Sequence, residues 1–237
     1  MINTVLMDLD GTLLPFDQEE FIASYFKRLC QRMAPMGYAP DDVVNATWAA
    51  TKAMVKNDGT ALNSERFWDV YTAQMGDAIL GEKNVLDEFY GGTFREVREV
   101  LRGESCAKAL VDTLKAKGYT VVLATSPIFP EVAVRSRLSW CGLTPEDFAL
   151  VTHYDNCHFC KPNPAYYREI LQTIGKAPEE CLMIGNNVAE DMIAAEVGLK
   201  TYLVTGFVEN PANADTSVFE QGTLAEFYET VQGWCNV

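Results

Sequence analysis

Several polar side chains in this sequence have the types that phosphoryl transfer needs, and each follows a short apolar segment. A carboxylate can attack phosphorus, and a second carboxylate can transfer the proton. Hydroxyl and ammonium groups can bind the phosphoryl oxygens, while further carboxylates and amides can hold a metal ion. The residues with these groups are Asp8, Asp10, Thr125, Ser126, Lys161, Asn186, Glu190 and Asp191.

The apolar segments before these residues alternate with amphipathic ones, which is typical of parallel strands connected by helices. The sequence therefore predicts an α/β protein with a three-layer, Rossmann-like parallel sheet. Because ligands bind at the carboxyl ends of such strands, we expect the polar residues to gather at one edge. The predicted strands are 4–7, 120–124, 149–151, 181–184 and 201–204, and the predicted helices are 107–117, 131–140, 165–174, 189–197 and 224–234, with a polar loop at 206–217.

The stretch between the first two predicted strands contains only helical patterns. Apolar residues recur at helical spacing in four segments of it. These segments are 17–33, 41–55, 64–75 with Ser64 as its cap, and 86–101 with an interruption near Gly91 and Gly92. We therefore predict an all-helical cap at 16–98, inserted into a core formed by 1–15 and 99–237. Its aromatic residues, including Trp48 and Trp68, are expected to pack the cap, although spacing does not separate packing from substrate contact.

The polar strand-end residues lie in segments that resemble the four motifs of the haloacid dehalogenase superfamily. Residues 8–14 resemble the first motif, Thr125 the second, Lys161 the third and residues 185–191 the fourth. The motifs occur in the family's order and extend over the whole predicted core. The resemblance implies a hydrolase, and the helical insertion resembles the family's C1-type cap, which closes over the site and selects the substrate.

The resemblance also implies a role for each residue. Asp8 would be the nucleophile that forms an aspartyl-phosphate, and Asp10 would protonate the leaving group and then deprotonate the attacking water. Lys161 would hold Asp8 and the phosphate together. The dehalogenases proper attack carbon and lack an acid two residues after the nucleophile, so Asp10 favours a phosphate monoester of a small metabolite. The residues expected to bind the phosphate are Gly11, Thr125, Ser126 and Lys161.

The cofactor that the resemblance implies is Mg²⁺, with Asp8, Asp10, Asn186 and Asp191 as its expected ligands. Position 186 is Asn where the family usually has Asp. A neutral amide oxygen binds Mg²⁺ more weakly than a carboxylate, so our hypothesis is retained catalysis with modest Mg²⁺ affinity. Two alternatives stay open: a ligand-binding or regulatory protein with weakened catalysis, and a phosphotransferase such as a sugar mutase.

Composition restricts the partners. The chain has 33 acidic and 19 basic residues and a net charge of −14, so it offers no basic surface for nucleic acid. It also has no apolar run long enough for a membrane span. The seven scattered cysteines indicate reduced thiols in a cytoplasmic protein. Cys157 and Cys160 lack a second pair nearby, so we expect structural thiols there and not zinc ligands. The protein is expected to be a monomer or a homodimer.

Overall fold

The computed structural model describes all residues from Met1 to Val237, and its centre is a six-stranded sheet. The strands are β1 (Thr4–Met7), β2 (Thr120–Leu123), β3 (Leu150–Val151), β4 (Cys181–Gly185), β5 (Lys200–Val204) and β6 (Glu220–Gly222). Every neighbouring pair is parallel, and the order across the sheet is β3-β2-β1-β4-β5-β6. The chain therefore changes direction across the sheet between β1 and β4, where ligands bind in doubly wound folds.

Eight α-helices surround the sheet or form the insertion. They are α1 (Gln18–Met33), α2 (Pro40–Val55), α3 (Asn63–Met75), α4 (Lys83–Gly91), α5 (Ala107–Ala116), α6 (Glu131–Ser139), α7 (Pro164–Ile174) and α8 (Leu224–Gln232). Short 3₁₀ helices span Ala34–Met36, Asp77–Glu82, Thr93–Val100, Pro145–Asp147, Pro178–Glu180 and Met192–Val197. No helix is both long enough and apolar enough to cross a membrane.

Both faces of the sheet are covered, because successive strand residues enter different apolar clusters. Val5 and Met7 of β1 pack into a cluster on one face, and Leu6 packs into a second cluster on the other. Residues in a strand alternate between faces, so a strand buried on both sides is apolar throughout. The predicted three-layer α/β fold is confirmed.

The chain between β1 and α5 has only helices, and its aromatic side chains pack against the core. Tyr25 and Phe94 contact Phe129, with ring centroids 5.6 and 6.3 Å apart. Hydrogen bonds also connect the insertion to the core. The fully buried Asn63 donates from Nδ2 toward the carbonyl of Phe159 and the Sγ of Cys160, both at 3.3 Å. The boundaries at 16 and 98 stay a prediction.

Two predictions inside this insertion need correction or refinement. Helix α3 begins at Asn63, and Leu62 occupies the position before it, where its amide donates to Glu65 Oε2 (2.7 Å). Ser64 is therefore inside the helix and does not cap it. The expected interruption is confirmed, because α4 ends at Gly91 and a 3₁₀ helix begins at Thr93.

Two further predictions were wrong around the carboxyl edge of the sheet. The helix expected at 189–197 is a 3₁₀ helix that begins only at Met192. Asn187 Oδ1 accepts hydrogen bonds from the amides of Ala189 and Glu190 (both 3.0 Å), and this turn delays the helix. Strand β6 was missed because it is a three-residue edge strand without apolar alternation.

Candidate active site

The predicted site residues meet at the carboxyl edge of the sheet. Asp8 follows β1 and Asn186 follows β4, so the two lie on either side of the point where the strand order changes direction. A crevice of about 230 Å³ opens there. The predicted residues that line it are Asp8, Asp10, Thr125, Ser126, Asn186 and Asp191.

Lys161 lies buried behind the carboxylates that line the crevice. Its ammonium donates to Asp8 Oδ1 at 2.8 Å and to Asp191 Oδ1 at 2.6 Å, and its side chain is only 1% exposed. Burial alone would lower the pKa of Lys161, but the charges of Asp191 and Asp8 outweigh it and hold the pKa well above its usual value. The lysine is therefore a permanent cation that holds Oδ1 of Asp8. The other oxygen, Oδ2, accepts a hydrogen bond from Thr12 Oγ1 at 3.2 Å.

Both carboxylate oxygens of Asp191 accept hydrogen bonds from protein groups. Its Oδ1 accepts from Lys161, and its Oδ2 accepts from the backbone amide of Asn187 at 2.9 Å. A side chain at position 185 would collide with this carboxylate, since a Cβ there would lie 2.1 Å from Oδ2. Gly185 therefore makes room for Asp191. Because both oxygens already accept protein donors, Asp191 is placed to position Lys161, and its expected role as a direct metal ligand stays a prediction.

Asp10 pairs with an arginine that the sequence analysis missed. Asp10 Oδ2 accepts from Arg137 Nη1, whereas its Oδ1 is buried without a hydrogen-bond partner. Burial raises the pKa of Asp10 to about 6, against the lowering effect of Arg137. A carboxyl group that titrates this close to neutral pH suits a general acid and base.

Arg137 is completely buried, and its guanidinium lies 4.5 Å from the centroid of the Phe129 ring. The signal for it was available in α6, because Ala133, Val134 and Leu138 form the buried face and Arg137 occupies that same face. A charge at an apolar helical position predicts a buried partner. The sequence gives no indication that the partner is Asp10.

A glycine in the first motif allows this loop to lie close to Asn186. Gly11 has φ of +75°, and a Cβ at this position would lie 2.2 Å from Asn186 Nδ2. Its amide donates to Leu14 O (2.9 Å), and Gly11 does not line the crevice. Gly11 therefore allows the close approach of the two loops, and its expected contact with the phosphate stays a prediction.

The second motif presents hydroxyl groups to the crevice. Thr152 Oγ1 and Tyr166 OH donate to the backbone carbonyl of Thr125 at 2.7 and 2.9 Å. Both bonds fix the backbone and leave the Thr125 hydroxyl available to a ligand. Ser126 lines the same wall. These positions agree with the predicted phosphate contacts, which stay a prediction.

Asn186 directs its amide oxygen toward Thr12, whose hydroxyl also contacts Asp8. Its Nδ2 donates to Phe207 O at 2.7 Å, and its Oδ1 accepts from Thr12 Oγ1 at 3.0 Å. The Phe207 carbonyl therefore orients the amide. An aspartate here would place a carboxylate oxygen against that carbonyl, so asparagine is the residue that fits this loop.

The crevice is strongly acidic. Burial raises the pKa of both Glu190 and Glu209 above the usual value, which means that their charges are costly in the absence of a cation. No lysine or arginine lines the crevice. Glu209 was missed because it lies in the polar loop after β5, joined to Asn187 Nδ2 at 2.8 Å. The lining carboxylates are Asp8, Asp10, Glu190, Asp191 and Glu209.

This donor set fits Mg²⁺ better than a tightly caged metal. No three His, Cys, Asp or Glu side chains converge closely enough to hold a metal by themselves. Magnesium takes one or two carboxylates and keeps several waters, and it accepts amide and backbone oxygens. The Asp8 carboxylate and the Asn186 amide oxygen, both within 3.2 Å of Thr12 Oγ1, satisfy that description.

The sheet order and its strand-end carboxylates are those of a doubly wound α/β protein with a polar site at the switch point. A family profile described as haloacid dehalogenase-like hydrolase matches residues 2–198. The chain belongs to the haloacid dehalogenase-like hydrolase family. The predicted family is therefore confirmed.

Individual relatives agree with this assignment. Pyrophosphatase PpaX of Bacillus cereus (strain AH820) is 28% identical over 204 residues, which are 86% of this chain and 83% of that protein. A solved HAD phosphatase from Thermococcus onnurineus aligns with a TM-score of 0.63 at 18% identity over 100% of both chains. A predicted phosphoglycolate phosphatase from Haemophilus somnus 129pt aligns with a TM-score of 0.59 at 18% identity over 98% of both chains. The two structural likenesses show the shared fold.

Proposed function

We propose that this protein is a Mg²⁺-dependent phosphatase that hydrolyses the phosphate monoester of a small metabolite through an aspartyl-phosphate on Asp8. The observation that carries the proposal is the buried Lys161, which bridges Asp8 and Asp191 beside the second carboxylate, Asp10. The relatives are named as a pyrophosphatase and two phosphatases, which supports phosphate as the group transferred.

In the first step, a carboxylate oxygen of Asp8 attacks phosphorus while Lys161 holds the other oxygen and its charge. Asp10 protonates the departing oxygen, which its pKa of about 6 allows. Thr125 and Ser126 donate their hydroxyls to the phosphoryl oxygens, which keeps the group in line with the attacking atom.

In the second step, the deprotonated Asp10 takes a proton from a water molecule as the water oxygen attacks the phosphorus of the aspartyl-phosphate. The bond between phosphorus and the Asp8 oxygen breaks, which releases inorganic phosphate and regenerates the Asp8 carboxylate. Arg137 keeps the Asp10 carboxylate in place for both transfers. Asp8, the backbone of Asp10 and Asn186 would hold Mg²⁺, with Asp191 supporting them from behind. When bound, Mg²⁺ supplies the positive charge that lets an anionic nucleophile approach an anionic phosphate.

The proposal is tested with a panel of phosphorylated metabolites assayed for phosphate release with Mg²⁺ and with EDTA. Asp8→Asn should abolish turnover, and Asp42→Asn, an exposed residue of α2, is the matched control. Acid quenching during turnover should give a phosphorylated peptide that contains Asp8.

Three results would contradict the proposal. Phosphate release that persists in Asp8→Asn would exclude the nucleophile. Transfer of the phosphate to a second metabolite in preference to water would indicate a phosphotransferase. Binding of phosphorylated ligands without any turnover would favour the ligand-binding or regulatory alternative.

A further inference from the structure

A second cavity lies directly beside the catalytic crevice, between the helical insertion and the core. Its volume is about 110 Å³, and 12 of its 17 lining residues are hydrophobic. We call it the aromatic cavity, and its main walls are Phe21, Tyr25, Phe26, Trp48, Phe129 and Tyr154. Cavities of this size and character hold small apolar groups; an engineered apolar cavity of about 150 Å³ in another protein binds benzene.

The aromatic cavity and the crevice are neighbours that share one wall. Trp48 and Thr51 of α2 line both, and so does Phe129 of the loop after β2. Gln18 and Ile128 complete the shared wall. A phosphate held at Asp8 would therefore place its leaving group next to the wall that the crevice shares with the aromatic cavity.

The charge of this space excludes a second anionic group on the substrate. Neither wall contains a lysine or an arginine, and the one charged side chain of the aromatic cavity is Asp87. Of the nearby buried cations, Lys161 is paired with Asp8 and Asp191, and Arg137 is paired with Asp10. Nε and Nη2 of Arg137 have no hydrogen-bond partner, but Arg137 lines neither space. A carboxylate or second phosphate in the cavity would lose its hydration without gaining a partner.

An organic cation is a weaker match than an uncharged group. Aromatic walls with one carboxylate can bind ammonium groups. Here, however, Lys83 already lies 4.4 Å from the centroid of the Trp68 ring, and its charge acts on Asp87. Lys83 does not line the cavity, but it already provides a positive charge near its one carboxylate.

We infer that the leaving group of the substrate is an uncharged, apolar group of about the size of a benzene ring, which enters the aromatic cavity while its phosphate binds in the crevice. The inference rests on the proposed phosphatase function. It separates this chain from relatives whose names specify pyrophosphate or phosphoglycolate, because both of those substrates carry a second anionic group.

The main kinetic comparison is between benzyl phosphate and ethyl phosphate, whose leaving groups have similar basicity. Benzyl phosphate should exceed ethyl phosphate in kcat/KM by about 100-fold or more, since each methylene in an apolar pocket contributes roughly tenfold. Phosphoglycolate and pyrophosphate should fall below ethyl phosphate. A higher kcat/KM for phosphoglycolate or pyrophosphate than for ethyl phosphate, or for phosphocholine than for benzyl phosphate, would overturn the inference.

Three variants on α2 test whether the preference for benzyl phosphate arises in the aromatic cavity. Thr51→Phe places a ring at the mouth of the cavity and should reduce the benzyl-to-ethyl ratio at least tenfold. Asn45→Phe adds the same side chain at an exposed position of the same helix and should leave the ratio unchanged. Thr51→Arg adds the missing cation and should raise the ratio of phosphoglycolate to benzyl phosphate. Unchanged ratios in both Thr51 variants would contradict the assignment.

A binding measurement distinguishes failure of this inference from failure of the proposed function. Benzyl alcohol is titrated into Asp8→Asn protein, and tryptophan fluorescence is recorded, since Trp48 lines the cavity. Saturable quenching that Thr51→Phe weakens and Asn45→Phe preserves supports the cavity assignment even if no phosphate ester is hydrolysed. Absence of saturable binding to Asp8→Asn protein, when the wild type hydrolyses phosphate esters, would overturn the inference and leave the phosphatase proposal intact.

Discussion

The crevice and the aromatic cavity share a wall, yet the chain holds them together by different interactions. The crevice depends on a few buried charges, each with one or two partners, such as Lys161 with Asp8 and Asp191. The cavity depends on many dispersed contacts among aromatic rings, with one hydroxyl pair, Tyr25 and Tyr90, at 2.9 Å. A single substitution should therefore cost far more in the crevice than in the cavity, and the cavity can change its specificity without loss of the fold.

The largest difference is expected from Lys161→Met. The variant leaves the carboxylates of Asp8 and Asp191 buried without a cation, so the free energy of unfolding should fall by about 3–5 kcal/mol. Phosphatase activity should be lost as well. Urea denaturation at pH 7 measures the first effect, and phosphate release measures the second.

The control for this substitution is Lys176→Met, which removes a part-buried lysine whose ammonium donates to Asn3 Oδ1 at 3.0 Å. It loses one hydrogen bond to a neutral group, so the free energy of unfolding should fall by about 1 kcal/mol. Equal losses in the two variants would show that the charges of the crevice are no more critical than an ordinary polar contact.

The two regions also differ in how much of them the sequence predicts. The crevice residues follow strands, and the strands have a clear apolar pattern, so Asp8, Thr125 and Asn186 could be placed at one edge before the structure was known. Arg137 could not be assigned to Asp10, because the pair is 127 residues apart in the chain. The cavity could not be predicted at all, because it forms only where the insertion meets the loop that carries Phe129.

The second prediction concerns pH. The carboxyl group of Asp10 releases its proton near pH 4 in the unfolded chain and at about 6 in the folded protein. Its contribution to stability is therefore complete below pH 4 and is lost as the pH rises through 6, by at most about 3 kcal/mol. Without divalent cations, the free energy of unfolding should be higher at pH 5 than at pH 8.

Denaturation in EDTA at several pH values tests this expectation. Asp10→Asn should flatten the profile, whereas Asp42→Asn, at an exposed position of α2, should not. Mg²⁺ should restore stability at pH 8, because a cation in the crevice favours the ionised carboxylates. A stability that rises between pH 5 and pH 8 would show that buried carboxylates do not dominate this region.

The third prediction concerns Asn186, one of the expected Mg²⁺ ligands. Asn186→Asp adds a negative charge beside Asp8, so the Mg²⁺ concentration for half-maximal activity should fall on the order of tenfold. The same change removes the hydrogen bond to Phe207 O and should cost about 1–3 kcal/mol of stability in EDTA. Asn186→Ala removes the oxygen and should raise the Mg²⁺ requirement. A wild type that requires less Mg²⁺ than Asn186→Asp would contradict the hypothesis of modest affinity.

The smallest effect is expected in the aromatic cavity, from the hydroxyl pair of Tyr25 and Tyr90. Tyr25→Phe leaves the Tyr90 hydroxyl buried without its partner, so the free energy of unfolding should fall by about 1–2 kcal/mol. Tyr90→Phe should cost a similar amount for the same reason. The double variant should cost little more than either single one, because it replaces both partners by apolar rings of the same shape and leaves no buried hydroxyl unsatisfied. A double-mutant cycle by urea denaturation measures this coupling. Additive losses would mean that each hydroxyl is stabilised by something other than its neighbour, and the cavity would then resemble the crevice, where single polar contacts decide stability.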